Sequence, residues 1–118
     1  MIQNYNPLML RNDGELIAFP DILQGCAAAI RLVEQHIAQN ARRLIRTSIY
    51  REVTQLTTMT GVNAEECLDE INSSYPVGTI IKTADKNLIC FMLFIITKHI
   101  YPDEEIHIYW YERAFALA

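Results

Sequence analysis

Residues 60–76 read TGVNAEECLDEINSSYP, and the meaning given to this stretch decides the fold. The triplet Gly61, Val62 and Asn63 stands between two segments with helical apolar spacing, as the turn of a helix-turn-helix does. Asn63 is placed to cap the following helix, with Glu66 three residues on in the manner of a capping box. Glu65 and Glu66 suit the positive end of the helix dipole. Cys67, Leu68 and Ile71 form the apolar face of this short helix, and the turn formers of NSSYPVG, residues 72–78, end it. Its outward face conflicts with the motif. Glu65, Glu66, Asp69 and Glu70 would oppose phosphates on a recognition helix, and the apolar residue wanted where Glu70 stands comes one position later, at Ile71. These four acids are therefore expected to meet a protein partner.

Upstream, no Gly or Pro interrupts the chain from Cys26 to Thr60, which predicts one long helix or two. Leu23, Ile30, Ile37 and Leu44 recur every seven residues, with Cys26 and Val33 at the intermediate seam positions. The next intermediate positions are Asn40 and Thr47, and a second apolar set begins with Ile45, Ile49, Val53 and Leu56, so a bend is expected near Asn40. Two uses of the first stripe stay open: it faces the domain's own core, or it pairs with the same helix of a second copy in a homodimer. Residues 1–20 read as an arm with room for one strand in ELIAFP, and Pro20 and Asp21 open the helical region.

Downstream, TIIKT (79–83), ADKN (84–87) and LICFMLF (88–94) read as strand, turn and strand. A hairpin after the third helix is the shape of a winged helix. In the C-terminal PDEEIHIYWYERAFALA, Ile106, Ile108 and Trp110 alternate like a strand, whereas Ile106, Tyr109, Trp110, Arg113 and Leu117 follow helical spacing. The acids after Pro102 favour the helix. The expected fold is α+β and mostly α: a long helix or helix pair, a helix-turn-helix-like turn with a short third helix, then a β-hairpin. One domain over 1–118 is expected, divided into an arm (1–20), a helical dimer region (21–58), the helix-turn-helix-like unit with its hairpin (60–94) and a C-terminal element (95–118).

Composition narrows the function classes. Apolar residues make up 51% and charged residues 20% of the 118, with only four Gly and four Pro, the profile of a chain that buries its own core. A formal net charge of −4 is too mild to name a partner by sign. The longest apolar run, Leu88 to Ile96, is about half of the roughly 20 residues a membrane-spanning helix needs, so it reads as a buried element. MIQNYNPLMLRNDGE lacks the features of a secretory signal, and a cytoplasmic location is expected. Cys26, Cys67 and Cys90 are odd in number and widely spaced, which suggests buried, reduced thiols.

No metal site, cofactor or enzymatic centre is expected. His36, His99, His107 and Cys90 lack the short ligand spacing of a zinc site, and there is no phosphate-cradling glycine loop or Gly-x-Ser-x-Gly elbow. Positive charge is better organised: Arg42, Arg43, Arg46 and Arg51 lie within ten residues free of acids, half of them spaced to share a helical face. Two readings stay open: a solvated helix face balanced by Glu34 and Glu52, or a contact with phosphates or an acidic partner, which planar guanidinium groups suit and which on DNA would anchor without reading bases.

Residues 60–94, about a third of the chain, resemble the middle of the D subunit of the flagellar master transcriptional activator (FlhD) and its relatives encoded on conjugative elements. Gly61, Val62 and Asn63 match that family's turn, Glu66 its acidic helix start, Pro76 its second turn, and Asn87, Leu88, Ile89 and Cys90 its later apolar run. The resemblance implies a small, largely helical homodimer that binds DNA poorly alone and activates transcription by joining a larger, zinc-bearing partner subunit, with Cys90 near the dimer interface. Two readings follow: a non-catalytic regulatory subunit acting at DNA through a partner, or a small interaction module such as an immunity protein, secretion chaperone or phage- or plasmid-borne inhibitor.

Overall fold

The segment between Cys26 and Thr60 forms two helices. In the computed structural model, which describes residues 1–118, α1 spans Ile22–Arg42 and α2 spans Ile49–Thr60. They are followed by α3 (Ala64–Asn72), α4 (Lys86–Ile100) and α5 (Ile108–Ala114). A two-stranded antiparallel hairpin, β1 (Arg11–Asn12) with β2 (Glu15–Leu16), precedes them, so the fold is α+β and mostly α.

Local chemistry sets the ends of α1. The Asp21 side chain caps it by accepting the Gln24 N–H at 2.8 Å. At the other end the Ile45 N–H reaches the Asn40 carbonyl at 2.9 Å and the Leu44 N–H reaches Ala41 at 3.0 Å, the paired bonds of a Schellman stop. Asn40 also donates from its side-chain amide to the Thr47 hydroxyl at 2.8 Å, so the expected bend near Asn40 is a chain reversal two residues beyond it.

The hairpin expected over 79–94 is not there. Lys86–Ile100 is a helix, and extended backbone survives only in a single antiparallel bridge between Ser48 and Ile80. α4 is central and buries Leu88, Ile89, Cys90, Met92, Leu93, Ile95, Ile96 and Thr97, so apolar residues surround it and no period distinguishes it from a buried strand. The two short strands lie instead at the N-terminus, around Asp13 (φ 52°) and Gly14 (φ 81°), the two left-handed residues of a tight hairpin turn. No helix is long and apolar enough to cross a membrane.

One core joins all five helices. Ile30 and Val33 of α1, Val53 and Leu56 of α2, Cys67 and Ile71 of α3 and the inner faces of α4 and α5 belong to the same buried cluster. On α5 the buried residues are Tyr111 and Ala114, whereas Tyr109, Arg113 and Leu117 of the expected helical face are exposed. The Thr97 hydroxyl donates to the Leu93 carbonyl at 2.8 Å, so the Tyr111 hydroxyl, 2.6 Å away, is the donor to Thr97. Leu8 of the N-terminal arm also enters this core, and the arm is tied down through Asn6, whose side chain accepts the Leu10 N–H and donates to the carbonyls of Leu10 and Ile17.

All three cysteines are buried free thiols. Burial pushes Cys26 up to about 12, with Cys90 adding to the shift and the neighbouring Tyr111 hydroxyl opposing it. Burial likewise raises Cys67 to about 11, helped by Glu70 and Glu66, and Cys90 to about 11, helped by Glu112 and opposed by Lys86. A thiol whose native pKa is raised stabilises the fold fully below its unfolded value, near 9, and that stabilisation is lost as pH climbs towards 11 to 12. Stability is therefore expected to fall above pH 9 by up to about 1.4 kcal/mol per pH unit for each thiol, which urea titrations between pH 7 and 11 would measure. At pH 7.5, Ellman's reagent should find almost no reactive thiol in the native chain and three in urea.

Candidate functional site

α2 and α3 are joined by three residues. Gly61 ends α2 in the left-handed conformation (φ 77°), with its N–H on the Thr57 carbonyl. Asn63 then caps α3 by accepting the Glu66 N–H at 3.0 Å. Cys67 and Ile71 are completely buried beneath α3, Leu68 is half-buried, and Glu65, Glu66, Asp69 and Glu70 are exposed. A helix-turn-helix is thus present in form, and the outward side of its second helix is acidic. His99, near the end of α4, braces this face: its Nε2–H donates to Glu70 at 2.7 Å, and its Nδ1 lies 3.8 Å from Glu66. Glu65 and Asp69, one turn apart, take part in no ion pair within the chain.

The arginines do not share a helical face, because α1 stops where the heptad spacing continues. Arg42 is the last residue of α1, Arg43 its cap, Arg46 lies in the connection and Arg51 in the first turn of α2; all are exposed. They ring the α1–α2 corner. Arg51 stands beside a shallow cleft with Ser48, Tyr50, Thr54, Gln55 and Thr58, polar side chains of the type that donate to phosphate oxygens.

The heptad stripe is divided as well. Ile30 is fully buried in the chain's own core, Leu23 and Ile37 are half-buried, and Leu44 lies beyond the helix with 95% of its surface exposed. Cys90 is completely buried between α4 and its neighbours. A homodimer seam of these five residues therefore does not exist on the surface. Symmetric pairing through Ile37 and Leu44 would also bring Arg42, Arg43 and Arg46 of both copies together.

Two polar residues received different expectations from the sequence. Glu52, which reads as a solvated acid balancing the arginines, is completely buried, and so is most of His36. The His36 Nδ1–H donates to one Glu52 oxygen at 2.7 Å, while Gln55 lies 3.2 Å from the other ring nitrogen. The second carboxylate oxygen of Glu52 is buried without a partner. No spacing signal links positions sixteen apart on two helices, so this pair was not readable in advance. His36, His99, His107 and Cys90 are dispersed, and no three His, Cys, Asp or Glu side chains converge as metal ligands.

Set against family models, curated proteins and solved structures, the chain matches none of them.

Proposed function

We propose that this chain is a non-catalytic regulatory subunit that works at DNA through a larger protein partner. The observation carrying the reading is the α2–α3 helix-turn-helix whose second helix turns four carboxylates outward. Such a helix is repelled by phosphates and complements a basic protein surface. The resemblance of residues 60–94 to the flagellar activator's D subunit supports the same division of labour, in which the partner, zinc-bearing in that family's manner, reads the DNA sequence. In this reading the chain carries no cofactor of its own and is cytoplasmic, as three buried free thiols suit a reducing compartment. DNA contact is indirect and made by Arg42, Arg43, Arg46 and Arg51 on phosphates.

A gel-shift series on the isolated chain tests the DNA half. Binding should be weak and indifferent to sequence, and each of Arg42→Ala, Arg43→Ala and Arg51→Ala should lower the salt slope by roughly one unit. Tight sequence-specific binding by the isolated chain, unaffected by these changes, would show that the arginines were misassigned. The second reading, a small inhibitor with a basic target, is favoured by the same acidic face. It predicts no DNA binding even when the partner is present.

A further inference from the structure

The Schellman stop at the end of α1 places Leu44 where glycine is the usual residue, at φ 58°. The two Schellman bonds hold the backbone in that conformation, but they need no side chain, and the branched Leu44 side chain gains no cover inside the chain, since it is 95% exposed. A leucine where glycine would serve, with its side chain left in solvent, points to a contact made outside the chain. Leu44 borders an open groove of about 760 Å³ whose walls include Ile37, Ile45 and Ile80 and whose polar edge carries Arg46 and Lys82. No carboxylate lines it, and no acid occurs in the sequence between Glu34 and Glu52.

We propose that this corner groove docks an acidic amphipathic segment of a partner protein. Apolar side chains of the segment would lie against Ile37, Leu44 and Ile80, and its carboxylates would meet Arg46 and Lys82 at the rim, the arrangement of helix-in-groove recognition. Charge selects this occupant. A second copy would bring its own arginines to the same corner, and a nucleic acid has no apolar side chains to place on the groove floor. The proposal goes beyond the α3 assignment and does not depend on it, because the two sites carry opposite charge and would meet opposite surfaces; it takes Arg46 from the phosphate-contacting set and leaves Arg42, Arg43 and Arg51 for DNA.

The test uses the full chain and a fluorescein-labelled peptide of about four helical turns, with leucine along one face and glutamate on the other, read by fluorescence anisotropy. Leu44→Gly is the decisive variant, because glycine suits the left-handed position and the chain should fold at least as stably as the wild type. Binding in the micromolar range is expected for the wild type, about tenfold weaker for Leu44→Gly and for Arg46→Glu, and weaker at high salt. Equal binding by Leu44→Gly would overturn the proposal. So would equal binding of a control peptide with its leucines replaced by glutamine, which would reduce the effect to charge alone. A wild-type chain that sediments as a dimer and is made monomeric by Leu44→Gly would also overturn it, since a second copy would then be the occupant.

Discussion

Replacing His36 by alanine is expected to destabilise the chain by about 3–5 kcal/mol, a large part of the stability of a domain this size. The imidazole is the only hydrogen-bond partner of the Glu52 carboxylate, which is completely buried and already has one oxygen unpartnered. Without the ring, a desolvated carboxylate keeps no donor at either oxygen. The pair itself adds far less than this loss, because taking both groups from water offsets most of their attraction. Glu52→Gln therefore separates the two effects: its amide oxygen can still accept the His36 Nδ1–H and it carries no charge, while its NH2 takes the place of the unpartnered oxygen, so its cost should be about 1–2 kcal/mol. Urea unfolding of the two variants measures the contrast. Similar costs for both would mean that the charge of Glu52 plays no part in the penalty.

Gly25→Ala should be comparably damaging, and its sign is diagnostic. By helix propensity alone, alanine inside α1 ought to stabilise by up to about 1 kcal/mol. The structure reverses that expectation. A Cβ at residue 25 would stand 1.8 Å from the Tyr5 carbonyl oxygen and 3.0 Å from the Pro7 ring. Tyr5 sits at φ 51° and its neighbour Asn6 is locked by its own side-chain bonds and by the Tyr101 hydroxyl, which donates to the Asn6 carbonyl at 2.9 Å. Relief thus requires lifting the arm and withdrawing Leu8 from the core, which costs about 3 kcal/mol or more. Thermal unfolding gives the sign, and faster tryptic cleavage at Arg11 should accompany the loss. A variant more stable than the wild type would show that the arm does not rest on α1.

The parts of the fold that local chemistry dictates were legible in the sequence. Gly61 and Asn63 announce the end of one helix and the cap of the next, and both behave as their residue types require. Asn40 and Thr47 interrupt the heptad stripe, and the chain turns between them. α4 was misread because its partly exposed face carries Phe91 and Phe94, so apolar residues run right through its middle and supply no period; its fifteen residues without Gly or Pro were the better guide, being long for a strand. The N-terminal hairpin had a usable signal, Asp13-Gly14, the strongest short-range mark of a tight hairpin turn.

Other features depend on neighbours distant in sequence. Gly25 looks like an ordinary helical position until the Tyr5 carbonyl is placed above it. Glu52 looks like a surface acid until α1 brings His36 against it. Leu44 continues the heptad count although the backbone has already left the helix, so the stripe appeared longer than the surface that carries it. The outward placement of Glu65, Glu66, Asp69 and Glu70 was legible because it needs only one short helix and its buried side.

The central claim, that α3 meets a protein and not DNA, is tested most directly by purifying the chain from its native host with whatever binds it, as wild type and as the double variant Glu65→Lys/Asp69→Lys. These two acids are exposed and unpaired within the chain, so reversing them should leave the fold intact. A protein partner bound in near-stoichiometric amount by the wild type and absent from the variant is the expected result. A partner retained equally by both forms, or a wild-type chain that binds a specific DNA sequence alone and loses it on this reversal, would contradict the account.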